Sequence, residues 1–186
     1  MEFDMSNFLH VFTRFLAIGL LVLASSLVFA DQLSLASASI QDGKIERAHA
    51  CRQQGGKDLS LQLSIKNIPK EAKFLAVVSD DPDAVRPAGR VWVHWNLFNI
   101  PKKSDELEIA AGEKIDGDAG RTTGGYKGYE GMCPPDGVHT YRFAVFALGE
   151  KIELGGFFGP SAMTIDSFES KYKQLVLAKA VISGKF

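Results

Sequence analysis

Downstream of residue 30 the chain alternates apolar and polar positions in short bursts separated by Gly, Pro, Asn and Asp, the rhythm of strands and turns. Gln32 to Ile40 alternates and predicts a first strand, closed by the turn Gln41-Asp42-Gly43-Lys44. Ile45 to Cys51 predicts a second short strand, and Arg52 to Lys57 a polar loop. In Leu59 to Ile65, LSLQLSI, the residues Leu59, Leu61, Leu63 and Ile65 share one face of a half-buried strand. Phe74 to Ser79 is a nearly continuous apolar run, which suits a central strand. Strict alternation in Val91 to Asn99 places Val91, Val93, Trp95, Leu97 and Asn99 on one face, and Trp92, His94, Asn96 and Phe98 on the other. Thr140 to Leu148 aligns Tyr141, Phe143, Val145 and Ala147, and Leu175 to Ile182 predicts a closing strand. The one helical pattern, Thr164 to Tyr172, begins with a capping threonine and carries Asp166 and Glu169 toward its start. Many short strands and one late helix predict a mainly β domain, an antiparallel sheet with Greek-key links.

The first thirty residues follow a different pattern. Val11 to Ala30 is nearly all apolar, with Arg14 near its front and Val28-Phe29-Ala30 at its end, which predicts a signal peptide over 1–30 cleaved after Ala30. An uncleaved anchor is the alternative; the stretch after Arg14, Phe15 to Ala30, is 16 residues and short for a spanning helix. The expected mature domain is 31–186, periplasmic or secreted, with no stable membrane span once the leader is removed. Without Glu2, Asp4 and Arg14, the 21 basic and 22 acidic residues of the chain fall to 20 of each. A neutral chain generates no field that would draw it to nucleic acid or an anionic membrane. Cys51 and Cys133 are the two cysteines, and in an oxidising compartment an even count favours a disulfide over two buried thiols.

Composition draws the eye to Gly124–Tyr141, GGYKGYEGMCPPDGVHTY, where glycines and a Pro-Pro pair shape a loop that hands over to a strand. Strand spacing then puts His139 and Tyr141 on one face. Upstream, Asp80, Asp81 and Asp83 crowd a strand end around Pro82, and His94 sits inside an apolar strand. An Asp-Pro-Asp turn and a hydrogen-bonded core histidine would explain these residues structurally. A small polar pocket would explain them functionally: imidazoles, Tyr141 and backbone N–H groups accept an anion, while a carboxylate fixes one imidazole's tautomer. No Gly-x-Ser-x-Gly, Walker or dinucleotide motif is present, and Ser79 has no histidine paired with it in sequence. His94, His139 and Asp81 are metal ligands by type but lack a spacing signature. No catalytic residue, metal or cofactor is therefore assigned.

At these residues the chain resembles the phosphatidylethanolamine-binding protein family, in its bacterial Raf-kinase-inhibitor-like branch. The family's Asp-Pro-Asp-Ala-Pro box corresponds to Asp81-Pro82-Asp83-Ala84-Val85. Its strand histidine before an aromatic corresponds to His94-Trp95. Its Gly-Tyr-x-Gly-Pro-x-Pro-Pro-x-Gly-x-His-x-Tyr box corresponds to the run from Gly128 to Tyr141. The likeness runs from about Leu33 to Phe186. It implies a large central antiparallel sheet packed on a smaller one, few peripheral helices, and a pocket at the strand ends. Asp81, His94, His139 and Tyr141 would be its polar lining, with Pro82 and Gly131 shaping the mouth. Cysteines matching Cys51 and Cys133 are common in the branch.

The implied ligand is a small anion or a phosphorylated or phospholipid head group, bound without turnover. Some family members inhibit kinases or proteases, so an interaction module directed at an envelope protein or protease is the alternative, and a weak hydrolase a more distant one. Three departures stand out. Val85 and Met132 replace prolines, which predicts a looser wall and a flexible apolar rim, and Ser60 to Ile65 replaces a Ser-Pro-Pro-Leu-x-Trp run.

Overall fold

A computed structural model describes residues 32–155 and 161–186; the expected leader lies outside the described residues. In chain order the elements are β1 (Ser34–Ala36), β2 (Ile40–Gln41), β3 (Lys44–Ile45), β4 (Leu63–Lys66), β5 (Phe74–Asp81), α1 (Val85–Ala88), β6 (Trp92–Pro101), β7 (Leu107–Ile109), β8 (Asp118–Ala119), β9 (Thr140–Leu148), α2 (Ile165–Tyr172) and β10 (Val176–Lys185). Among the described residues the strands form two sheets, a three-stranded one ordered β1-β4-β7 and a seven-stranded one ordered β2-β3-β10-β9-β5-β6-β8. Pairing is antiparallel throughout except where Lys185 of β10 meets Lys44 of β3 in parallel. The long connection after β6 brings β9 back beside β5, on the side opposite β6, which is the crossover expected of the links.

β5 is central because it is apolar on both faces: Leu75 to Asp81 are all buried. On one side Leu75 and Val77 join Leu97, Tyr141, Phe143 and Val145 against Leu35, Leu63, Ile65 and Ile109 of the small sheet. On the other side Ala76 and Val78 join Phe98, Ala144 and Phe146 under Ile165, Phe168 and Tyr172 of α2. Phe168 packs 4.6 Å from Phe146 and 5.5 Å from Phe98, centroid to centroid. Thr164 caps α2, its side chain accepting the Ser167 N–H at 3.1 Å.

Four local expectations are corrected. The strand expected from Ile45 to Cys51 stops at Ile45, and Arg47–His49 forms a 3₁₀ turn whose backbone bonds close locally. The strand expected from Leu59 begins its pairing only at Leu63. A four-residue helix, α1, occupies the connection after the Asp-Pro-Asp turn.

Strict alternation also fails in β6, where two β-bulges intervene. Ser79 pairs with Trp95 and Asp80 with Val93, leaving His94 as the extra residue; Leu75 pairs with Ile100 and Val77 with Leu97, with Asn99 at φ 53°. His94 thereby shares the inter-sheet side with Trp95 and Leu97, while Asn96, Phe98 and Asn99 turn toward α2. Asn96 exchanges two hydrogen bonds with Met163, and Asn99 two with Ile152, so both buried amides are satisfied by chain crossing that face.

Candidate functional site

The ends of β5, β6 and β9 converge on a cavity of about 230 Å³ lined by Asp81, His94, Gly131, His139 and Tyr141. Ala84, Pro87 and Ala88 from α1 and its approach form one wall, Pro134 and Pro135 the facing wall, and Trp92, Glu130 and Cys133 complete the lining. Pro82 lies outside the lining. It opens the turn that leads to α1, its carbonyl accepting the Val85 N–H at 3.3 Å. Val85 is half exposed, so the wall is supplied by Pro87 and the two alanines rather than by position 85.

His139 stands just before β9 and is tied into the ladder by two backbone hydrogen bonds with Phe186, at 2.9 and 3.1 Å. Period-2 spacing then turns His139 and Tyr141 to the same side, as the alternation predicts. The His139 Nδ1–H donates to Asp81 Oδ2 at 2.7 Å, with both side chains almost wholly buried. The other oxygen of Asp81 accepts the backbone N–H groups of Asp83 and Ala84 at 2.9 and 3.2 Å, an Asx turn that holds the carboxylate. Burial pulls the His139 pKa down, but the hydrogen bond and charge of Asp81, joined by Asp136 and Asp83, outweigh it and leave the pKa above the ordinary histidine value.

His94 behaves oppositely. Its Nδ1–H donates to the Glu130 carbonyl at 2.9 Å, and burial holds its pKa below the ordinary value. The ring is thus neutral with a lone pair on Nε2, whereas His139 can present an N–H on Nε2. The Tyr141 ring lies edge-on to His94 at 5.2 Å. Burial first, then Asp81 and Asp83, raise the Tyr141 pKa, so it remains a phenol and a donor. Its hydroxyl is buried and has no hydrogen-bond partner.

The three neighbouring aspartates have separate tasks. Asp80, fully buried on the α2 side, binds Arg142 through two bonds of 2.8 and 2.9 Å and accepts the Ile165 N–H at 2.9 Å. Asp83 accepts the Thr140 N–H at 2.7 Å. Neither is in the cavity lining, and no lysine or arginine is. Ser79 is buried outside the lining, and Cys133 is in a disulfide with Cys51, so neither is a free nucleophile in the cavity. Among the described residues no group of three or more His, Cys, Asp or Glu is placed to hold a metal ion.

The far wall is strapped to the 49–54 segment. Besides the disulfide, Cys51 N–H donates to Met132 O at 2.9 Å, Gln54 Nε2 to Pro134 O at 3.1 Å, and Tyr129 Oη to His49 O at 2.8 Å. Gly131 is required there: a Cβ would come within 2.3 Å of Asp58 Oδ1 and 2.7 Å of Cys51 N. Met132 is wholly buried in the inter-sheet core, which corrects its expected place on the rim. Glu130, Trp92 and Pro87 escaped the sequence reading. Glu130 and Trp92 adjoin residues already singled out, but no periodic signal marks Pro87.

Comparison with known proteins bears on the family and the fold. Residues 36–186 match the phosphatidylethanolamine-binding protein family profile. A UPF0098 protein of Methanothermobacter thermautotrophicus is 42% identical over 148 residues, covering 77% of this chain and 91% of that protein. The crystal structure of Escherichia coli YbcL, described as a member of the mammalian family, superposes with a TM-score of 0.68 at 28% identity, covering 84% of this chain and 98% of that one. A phosphatidylethanolamine-binding protein homologue of Chlamydia trachomatis gives a TM-score of 0.66 at 30% identity, covering 83% and 97%. The chain belongs to the phosphatidylethanolamine-binding protein family.

Proposed function

We propose that this protein is an exported, non-catalytic binding protein whose cavity takes a small anion or a phosphorylated head group. The observation that carries the reading is the buried Tyr141 hydroxyl, which has no protein partner and lines a cavity shared with two imidazoles. A buried hydroxyl left unpaired costs about 1–3 kcal/mol, a penalty that a ligand oxygen would remove. The His139 Nε2–H and the Tyr141 O–H supply two donors, and His94 Nε2 one acceptor. That set suits a singly protonated phosphate or phosphomonoester. When protonated, His139 is the one cation that the described residues bring to the lining, which favours compact anions over highly charged ones. The Cys51–Cys133 disulfide and the apolar run Val11 to Ala30 support export to an oxidising compartment.

Calorimetric titration of wild type and His139→Ala with phosphate and with phosphoethanolamine tests the ligand class. Heat in wild type that vanishes in the variant is expected; equal, negligible heats in both would sink the reading. Export is checked on the protein recovered from the cell envelope, whose N-terminus should be Asp31.

A further inference from the structure

His139 has one nitrogen left for a ligand, because Nδ1 is committed to Asp81. That nitrogen, Nε2, already faces a carboxylate: Asp136 Oδ1 stands 3.4 Å away, too long for a strong hydrogen bond and close enough for its charge to be felt at Nε2. The second oxygen of Asp136 accepts a hydrogen bond from Arg86 Nη2 at 2.8 Å, so the carboxylate hangs between the His139 side and α1. Asp136 and Arg86 are both exposed, and neither lines the cavity. An anion that reaches Nε2 must therefore come within about one oxygen–oxygen contact of a like charge.

We infer that Asp136 is a built-in competing anion that sets the affinity of the cavity, and that Arg86 determines how strongly it competes. The inference rests on the anion reading of the cavity. With Arg86 in place, Asp136 is held off Nε2 and partly neutralised; without Arg86 it is free to settle on His139. The other charged and titratable groups around the imidazole are Asp81 and Asp83 at the end of β5, His94 of β6, Glu130 of the facing wall and Tyr141 of β9. Among these, Asp136 alone contacts Nε2.

The test is titration with inorganic phosphate at pH about 5.5, below the ordinary histidine value that His139 exceeds. Asp136→Asn should tighten binding at least about fivefold, the water-limit repulsion of two unit charges 4 Å apart. Arg86→Ala should weaken binding in the wild-type background and leave it unchanged in the Asp136→Asn background. The Asp136→Asn gain should also shrink at high salt. An NMR titration of the His139 ring gives a second readout without ligand: its midpoint falls in Asp136→Asn and rises in Arg86→Ala.

Unchanged or weaker binding in Asp136→Asn overturns the inference, as does equal weakening by Arg86→Ala in both backgrounds, which would make Arg86 a direct ligand. Binding that is lost in His139→Ala yet indifferent to Asp136 overturns this inference and leaves the anion pocket standing. Absence of phosphate heat in every variant overturns both.

Discussion

Tyr141 is a residue whose stability and function pull in opposite directions. Its ring is wholly buried in the inter-sheet core while its hydroxyl lacks a partner. Tyr141→Phe keeps the ring and deletes the orphan, so unfolding in urea should show the variant about 1 kcal/mol more stable than wild type. Phosphate affinity should fall together with that gain. His139 makes an opposite kind of contribution, through protonation. Its folded pKa lies above the ordinary value, so its stabilisation is complete below about pH 6.5, the ordinary histidine pKa, and is lost as pH rises through the raised value. Anion affinity should fall over the same window. His94, with a depressed pKa, costs stability as pH falls below the ordinary value. Denaturant midpoints measured from pH 5 to 9 should therefore lose their alkaline decline in His139→Ala.

At the scale of elements, Asp80 joins three of them: it lies in β5, binds Arg142 of β9, and accepts the first N–H of α2. Removing the carboxylate leaves a partly buried guanidinium and an uncapped donor. Asp80→Ala should lower unfolding free energy by about 3 kcal/mol, the loss expected when one partner of a buried pair is removed. Thr164→Ala, which removes only the cap of α2, should cost about 1 kcal/mol. A comparable loss in both variants would show that the Asp80–Arg142 pair adds nothing beyond the helix start. The bulge at His94 acts at this scale too, because one extra residue turns the imidazole to the inter-sheet side without disturbing the β5 pairs on either flank.

For the molecule as a whole, residues 31–186 form one compact unit in which the small sheet covers one face of the large sheet and α2 covers part of the other. The Cys51–Cys133 disulfide links positions 82 residues apart and holds the cavity wall against the 49–54 segment. Closing so long a loop stabilises the fold by about 4 kcal/mol in the chain-entropy account. Reduction should add about two daltons to the intact mass, the two hydrogens taken up by one S–S bond, and shift the urea midpoint down accordingly. An unchanged mass would mean that the bridge does not form.

The alternation in Thr140–Leu148, the unbroken apolar run of β5 and the Thr164 cap were legible in the sequence, because each is decided by neighbours two to four positions away. So were the family likeness and the pairing of His139 with Tyr141 on one face, since motif order and period-2 geometry are local properties. Tertiary structure alone decided which aspartate serves the cavity: Asp80 and Asp81 are adjacent and chemically identical, yet the pleat sends one to Arg142 and the other to His139. It also decided the burial of Met132, the bulge that re-aims His94, and the contact of Arg86 with Asp136. These depend on pairing register and on close approach between distant segments, which no periodicity along a single strand records.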